Sequence, residues 1–441
     1  MINPNQTSPW PGRLWLFGTV AILLLTAPLF FQAVMQTLID NPIRGDARDY
    51  VGYAFNLKIH GIYSRSWPES FTELPIPDAL RAPGYPWLLS LFVDAGEMTF
   101  NTANLLLFQA LLGVLTVFFY LLIYRKFMST RWALAAGLLT AISPHLINAS
   151  VYVLTEAIFT CLLGAHLLLL ERALRLQRNG LFFGAGLLLA LSFLVRPTTQ
   201  YLMAVYLTWG MLWFRNTREI HWKPLLYLIF PVLIATSAWS MRNFVQMGQF
   251  SDSTLTANFL QHGMYINMMY EGRLESYGYP YRFDPMNAAL AGNTGKILAA
   301  IGDRFLEDPR RYLAWYLIGK PIQFFSWNLT ESIGDAFVYA PTYSPYFDKS
   351  LFQITHDLAK AVHSWLMFLA VMGAFWTVGK AKTQPLPVVL LAVVLLYFMA
   401  LHMIGAPFPR YSVPIRPICY GLALFTLQEM TRWIAAAARR R

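Results

Sequence analysis

Long apolar runs alternate with short basic loops along most of the chain. A helix needs roughly 20 apolar residues to cross the hydrocarbon core. Ten runs approach that length: 14–36, 103–124, 131–148, 154–170, 181–195, 198–214, 224–241, 358–378, 385–404 and 412–431. The fifth and sixth are separated only by Arg196-Pro197. Proline removes a helix hydrogen bond and disfavours helical geometry just before it, which predicts a tight turn there. A further run, residues 312–327 (YLAWYLIGKPIQFFSW), is apolar but carries Lys320-Pro321 in its middle. Its Trp and Tyr residues suit headgroup level, so it is expected to be interfacial.

The loops fix an orientation. With the N-terminus inside, the short inner loops are YRKFMSTR, ERALRLQRNG, FRNTREIHWK and GKAKT, and the tail ends in WIAAAARRR. All are basic, as the positive-inside bias requires. Of the 23 acids only Glu171, Glu219 and Glu429 fall on the inner side, so the polar work is expected outside. The 441 residues are 56% hydrophobic and 13% charged, against about a quarter charged in soluble chains. The formal charge of +11 then reflects inner loops and does not point to nucleic acid. Cys161 and Cys419 lie inside apolar runs without metal-ligand spacing. The first run follows Arg13 and lacks a small-x-small cleavage site, so it reads as a retained anchor.

The first outer loop is unusually rich in acids, bases and aromatics. From Ile43 it reads IRGDARDYVGYAFNLKIHGIYSRSWPESFTELPIPDALRAPGYP. Asp46 and Asp49 are three residues apart and would share a helix face. Tyr50, Ala54 and Leu57 recur at helical spacing, predicting a short helix on the membrane, ended by Gly61. Either acid alone could be an ordinary solvated loop residue. In RAPGYP, Pro83 and Pro86 stiffen the backbone and Gly84 permits a positive φ, predicting a rigid turn. Arg81 at its start can fork two phosphate oxygens, and Tyr85 lies within the turn.

Other polar residues gather at outer ends of the runs. Glu156, in YVLTEAIF, opens the fourth, where an acid is costly. Arg196 stands in LVRPTT, Arg242 in WSMRNFVQMGQF, and His402, Arg410 and Tyr411 in HMIGAPFPRYSVP. Separated outer arginines suggest an anion site, although each singly could be a snorkelling interfacial arginine.

These features resemble the GT-C superfamily of membrane glycosyltransferases, nearest the branch of protein O-mannosyltransferases and the lipid A aminoarabinose transferase. The resemblance implies an all-α polytopic, GT-C-like fold of about ten transmembrane helices, with juxtamembrane helices in the first outer loop and a small outer cap. It implies Asp46 as catalytic base, from the D of D-A-x-x-Y, and Arg81 as a contact to the phosphate of a lipid-linked donor. Glu156 resembles the second acidic residue of the superfamily, which orders the site, sometimes through a metal. Asp46 with Glu156 could hold one divalent cation. Arg196, Arg242 and Arg410 would join Arg81 on the phosphate, with Asp49, Tyr50, Tyr85, His402 and Tyr411 nearby.

The implied partners are a polyprenyl-phosphate-linked sugar, an acceptor glycan, lipid or protein, and membrane lipids. The implied location is a bacterial inner membrane, with the site on the periplasmic face. The expected organisation is a GT-C module over 1–241 with its first outer loop at 37–103, an outer region over 242–357, and C-terminal transmembrane helices over 358–441. The alternative is a transporter or flippase of a lipid-linked anion. That would call for polar or broken helices at mid-bilayer, and the runs are almost purely apolar.

Overall fold

In the computed structural model the described residues are 12–67, 74–208, 222–330 and 333–439. The described chain is mostly helical; its strands are the two-residue pair Val93–Asp94 and Thr99–Phe100. Six described helices are long and apolar enough to cross a membrane: Arg13–Gln36, Thr102–Tyr124, Glu156–Leu176, Trp222–Met247, Ser350–Gly379 and Leu386–Ile404. Among the described residues these correspond to six of the ten expected runs. The run 131–148 is two helices, Thr130–Ala141 and Pro144–Ala149. The Ser143-Pro144 step divides them: proline cannot donate to the preceding turn but suits the first position of a new helix. Asn179–Val195 is apolar but only 17 residues long. The last run becomes a 3₁₀ turn, Pro409–Ile415, followed by Arg416–Ala438.

The Arg196-Pro197 break is present. Arg196 is extended, with φ −138° and ψ 107°, and Pro197–Thr199 forms a 3₁₀ turn. Residues 202–208 are helical. The rest of the run 198–214, most of the inner loop FRNTREIHWK with Glu219, and the final two arginines lie outside the described residues.

The helices pack as a bundle. Asn179–Val195 lies between Glu156–Leu176 and Trp222–Met247; Arg13–Gln36 lies on Thr102–Tyr124, and Ser350–Gly379 on Arg416–Ala438. Their shared core includes Val117, Leu121, Leu163, Leu189, Leu391 and Leu422.

Residues 242–357 contain a small core of their own, made of Ala257, Leu260, Met264, Tyr265, Leu290 and Ile297. Beyond it, residues 309–324 form one helical stretch: Pro309–Ala314, a π turn at Trp315–Gly319, then Lys320–Phe324. Pro321 supplies no N–H to this stretch, and a π turn is a recognised way to absorb such a gap. The stretch is not among the membrane-crossing helices. It buries Trp315, Lys320 and Phe324 and exposes Leu313, Leu317, Ile318 and Ile322.

Candidate active site

The Asp46–His60 helix starts at the first of the two paired acids and ends at Gly61, which is left-handed with φ 66°. Gly45 precedes it with φ 54° and ψ −127°, a conformation that needs glycine. Asp46 and Asp49 both fall in the first turn, where the helix dipole favours carboxylates. The helix buries Tyr50, Val51, Tyr53 and Ala54.

The return of the loop is tied down by Asp78, which accepts the Tyr53 hydroxyl and, at 2.8 Å, the Arg65 amide. Tyr63 donates to the Arg81 carbonyl at 2.9 Å. RAPGYP then runs into a helix, Gly84–Leu89, which corrects the expected turn. Gly84 is needed for close approach: a Cβ there would stand 2.8 Å from the Leu194 carbonyl oxygen. Its backbone does not adopt the positive φ expected from sequence. Tyr85 is buried, meets Tyr50 edge-on at 5.1 Å and donates to Gln109 Oε1 at 2.9 Å. Gln109 in turn donates to the carbonyls of Ser150 and Tyr152, just before Glu156.

These elements bring six of the expected residues into one continuous chain of alternating charge. Arg81 donates from Nη2 to Asp46 Oδ1 at 2.7 Å, and from Nε and Nη2 to Asp49 Oδ2 at 3.0 and 2.7 Å. Arg410 Nη1 lies 3.2 Å from Asp46 Oδ2, and its Nε donates to Glu156 Oε1 at 2.7 Å. Arg196 donates from Nη2 to the same Glu156 oxygen and from Nε to Thr155 Oγ1 at 2.8 Å. With Asp49 the order is Asp49, Arg81, Asp46, Arg410, Glu156, Arg196.

Exposure is greatest at Asp46, least at Glu156, and rises again at Arg196, which is 13% exposed. The Asp46 side chain is 33% exposed, Asp49 25% and Arg81 15%; Arg410 is 5% and Glu156 2%. Water therefore reaches Asp46, and Glu156 is dry. Asp49 also faces an open cavity of about 500 Å³ between Arg48, Arg65, Trp67 and Asp78. Burial works to raise the Asp46 carboxyl, but the Arg410 and Arg81 guanidiniums outweigh it and hold the group below its ordinary 3.8. Arg81 is raised by Asp46 and Asp49 against the opposing effect of burial.

Arg242 and His402 lie elsewhere. Arg242 donates to the backbone carbonyls of Asp78 at 2.8 Å and Tyr63 at 2.9 Å, and it stacks over Tyr63 and Trp239. It pins the first loop to the Trp222–Met247 helix. His402 is buried, bonded through Nδ1 to the Ala406 carbonyl and stacked on Phe324. Tyr411 links the two settings, its ring beneath Arg196 at 5.7 Å and against His402 at 5.2 Å.

The Asp46–Glu156 pair does not suit a divalent cation. The positive charge between the two carboxylates is the Arg410 guanidinium, which donates to both. Among the described residues no group of three His, Cys, Asp or Glu could hold a metal.

Residues 80–241 match the family model described as dolichyl-phosphate-mannose-protein mannosyltransferase. The matched stretch contains Arg81, Glu156 and Arg196; Asp46, Arg242 and Arg410 lie outside it. Among solved structures, the archaeal oligosaccharyltransferase AglB from Archaeoglobus fulgidus, in complex with an inhibitory peptide and a dolichol-phosphate, is 16% identical with a TM-score of 0.50. That alignment covers 97% of this chain and 52% of that one. The apo form of the Archaeoglobus fulgidus oligosaccharyltransferase is 15% identical with a TM-score of 0.51, covering 98% and 53%. The fold is GT-C-like. The GT-C-like chain spans about half the length of these oligosaccharyltransferases. ArnT from Cupriavidus metallidurans, bound to undecaprenyl phosphate, is 16% identical over 95% of this chain and 78% of that one. Its TM-score is 0.41, too low to bear on the argument. No curated protein sequence matches.

Sequence reasoning placed Arg410 outside the membrane among several arginines but missed its position between the two acids. Gln109, which joins the Gly84–Leu89 helix to the segment before Glu156, carried no signal beyond being a polar residue inside an apolar run.

Proposed function

We propose that this chain is a glycosyltransferase that moves a sugar from a polyprenyl-phosphate-linked donor to an acceptor hydroxyl at the outer face of the membrane. The observation that carries this reading is the Arg410 bridge. It joins Asp46 on the first outer loop to Glu156 at the head of a membrane helix, with Arg81 on the exposed side. The GT-C-like fold and the mannosyltransferase family match over residues 80–241 support it.

In this reading the acceptor oxygen attacks the anomeric carbon opposite the phosphate. The carbon–oxygen bond to the phosphate breaks, a bond to the acceptor forms, and the centre inverts in a single displacement. Asp46, ionised and more exposed than Asp49 or Glu156, takes the acceptor's proton. A phosphate leaves readily without a strong general acid. What it requires is positive charge for the oxygen that gains charge on departure. Arg81 and Arg410 supply it electrostatically, with Arg196 behind them. Three arginines balance Asp46, Asp49 and Glu156, so the donor phosphate adds the uncompensated negative charge. As it draws on Arg81 and Arg410, Asp46 loses part of the attraction that weakens it as a base. Asp49 and Glu156 keep both guanidiniums in place through the exchange.

The test is mass spectrometry of the cell envelope with and without this chain. Loss of one sugar mass from an envelope component is expected; an unchanged sugar inventory in a strain shown to lack the protein refutes the assignment.

A further inference from the structure

Arg410 sits on the Pro409–Ile415 turn, and both ends of that turn are gripped by one outer segment, residues 320–327. On the leading side Lys320 reaches from its helix and donates from Nζ to the carbonyls of Met403 and Ile404 at 2.9 and 3.2 Å. These are the last residues of the Leu386–Ile404 helix, whose final carbonyls have no partner within the helix. On the trailing side Arg416 donates to the Ser326 carbonyl at 2.9 Å. It also faces Nδ1 of His145 and of His363, at 3.1 and 3.4 Å. The other nitrogens of those histidines meet the Trp327 and Phe325 carbonyls at 2.8 and 2.7 Å.

Lys320 is the unusual member. It is fully buried, lies 3.3 Å over the Tyr316 ring, and has two backbone carbonyls as its hydrogen-bond partners. Lysine is almost never buried this fully without a paired acid. Burial pushes its amine down to about 6, so near neutral pH it is uncharged and still carries N–H donors for both carbonyls. The surroundings are tight. A Cβ on Gly263 would stand 2.3 Å from the Gly405 carbonyl oxygen, and Trp315 donates to the Gly263 carbonyl at 3.1 Å. Phe324, four residues after Lys320, stacks on His402 at 4.6 Å, and His402 in turn meets Tyr411, the neighbour of Arg410.

We propose that Lys320 is a positioning residue for Arg410: by tethering the outer segment to the end of the Leu386–Ile404 helix, it fixes the turn that holds Arg410 between Asp46 and Glu156. This inference rests on the reading of Arg410 as a ligand of the donor phosphate. It gives the outer segment a physical route to the site, because a substrate that shifts residues 309–327 also shifts the turn.

The test is a double-mutant cycle on lipid-phosphate binding, made with the full chain in nanodiscs and undecaprenyl phosphate as the probe. Lys320→Met is expected to weaken binding about tenfold, and Lys320→Met with Arg410→Gln to bind no more weakly than Arg410→Gln alone. A merely structural lysine would give effects that multiply. Multiplying effects, or wild-type affinity in Lys320→Met, would overturn the inference while leaving the proposed function standing. Failure of the wild-type chain to bind the probe would instead overturn the proposed function and this inference with it. If Lys320→Met is not recovered folded, Lys320→Gln, one bond too short to reach both carbonyls, is expected to bind severalfold more weakly. Wild-type affinity in folded Lys320→Gln would overturn the proposal equally.

Discussion

Replacing Asp46 by Asn removes one charge and one proton acceptor while keeping the shape of the side chain. Arg81 retains its two bonds to Asp49, and Arg410 retains Glu156, so both arginines stay anchored. The fold and the affinity for lipid phosphate are therefore expected to survive. The rate is not. A positioned general base contributes roughly 10²–10⁴-fold. At 1.36 kcal/mol per tenfold, the barrier should rise by about 3–5 kcal/mol. Asp49→Asn is the matched control. Asp49 holds Arg81 through two bonds, so its loss loosens that arginine without removing the base, and a milder defect is expected. The assay is single-turnover transfer of labelled sugar from its polyprenyl carrier in proteoliposomes, with undecaprenyl phosphate binding measured on the same preparations. More than roughly a tenth of the wild-type rate in Asp46→Asn would refute the general-base role. An equal or greater loss in Asp49→Asn would move the role three residues along.

Arg81→Ala is expected to weaken use of the lipid donor, with Lys restoring it only in part, because a two-pronged fork becomes a point charge; unchanged donor kinetics would contradict this. The Asp46 carboxyl is held below its unfolded value, so its contribution to stability is fully present above that value and is lost as pH falls through the lower, folded one. The melting difference between wild type and Asp46→Asn should therefore hold from pH 7 to about pH 4.5 and shrink only below about pH 4; shrinkage already near pH 6 would refute the arginine pairing. The outer region, residues 242–357, is expected to select the acceptor, with Tyr265, Tyr270, Tyr277 and Tyr279 among its aromatics. Exchanging it with that of a similar enzyme should change the acceptor and keep the donor sugar, and the reverse outcome would place donor choice there.

Local structure was legible from local chemistry. The Asp46–His60 helix, its end at Gly61 and the break at Arg196-Pro197 follow from spacing, glycine and proline. The same proline rule divides the run 131–148 at Ser143-Pro144. The site was legible as a set of outer acids and arginines, but not as a pattern of contacts. Glu156 and Arg410 are 254 residues apart, and no spacing rule links them. Arg242 and His402 have the same composition signal as Arg410, yet Arg242 ends on backbone carbonyls and His402 in a ring stack. Which arginine meets which acid is decided by how the helices pack. Gly84 makes the same point: read as a turn residue, it serves to let the loop lie against Leu194.

The most direct test of the central claim uses the wild-type chain in proteoliposomes with a labelled sugar on polyprenyl phosphate and a mixture of envelope acceptors. Transfer predicts that label appears on an acceptor while an equal amount of polyprenyl phosphate is released. Label that crosses the bilayer but stays on its carrier would contradict the account and identify a transporter.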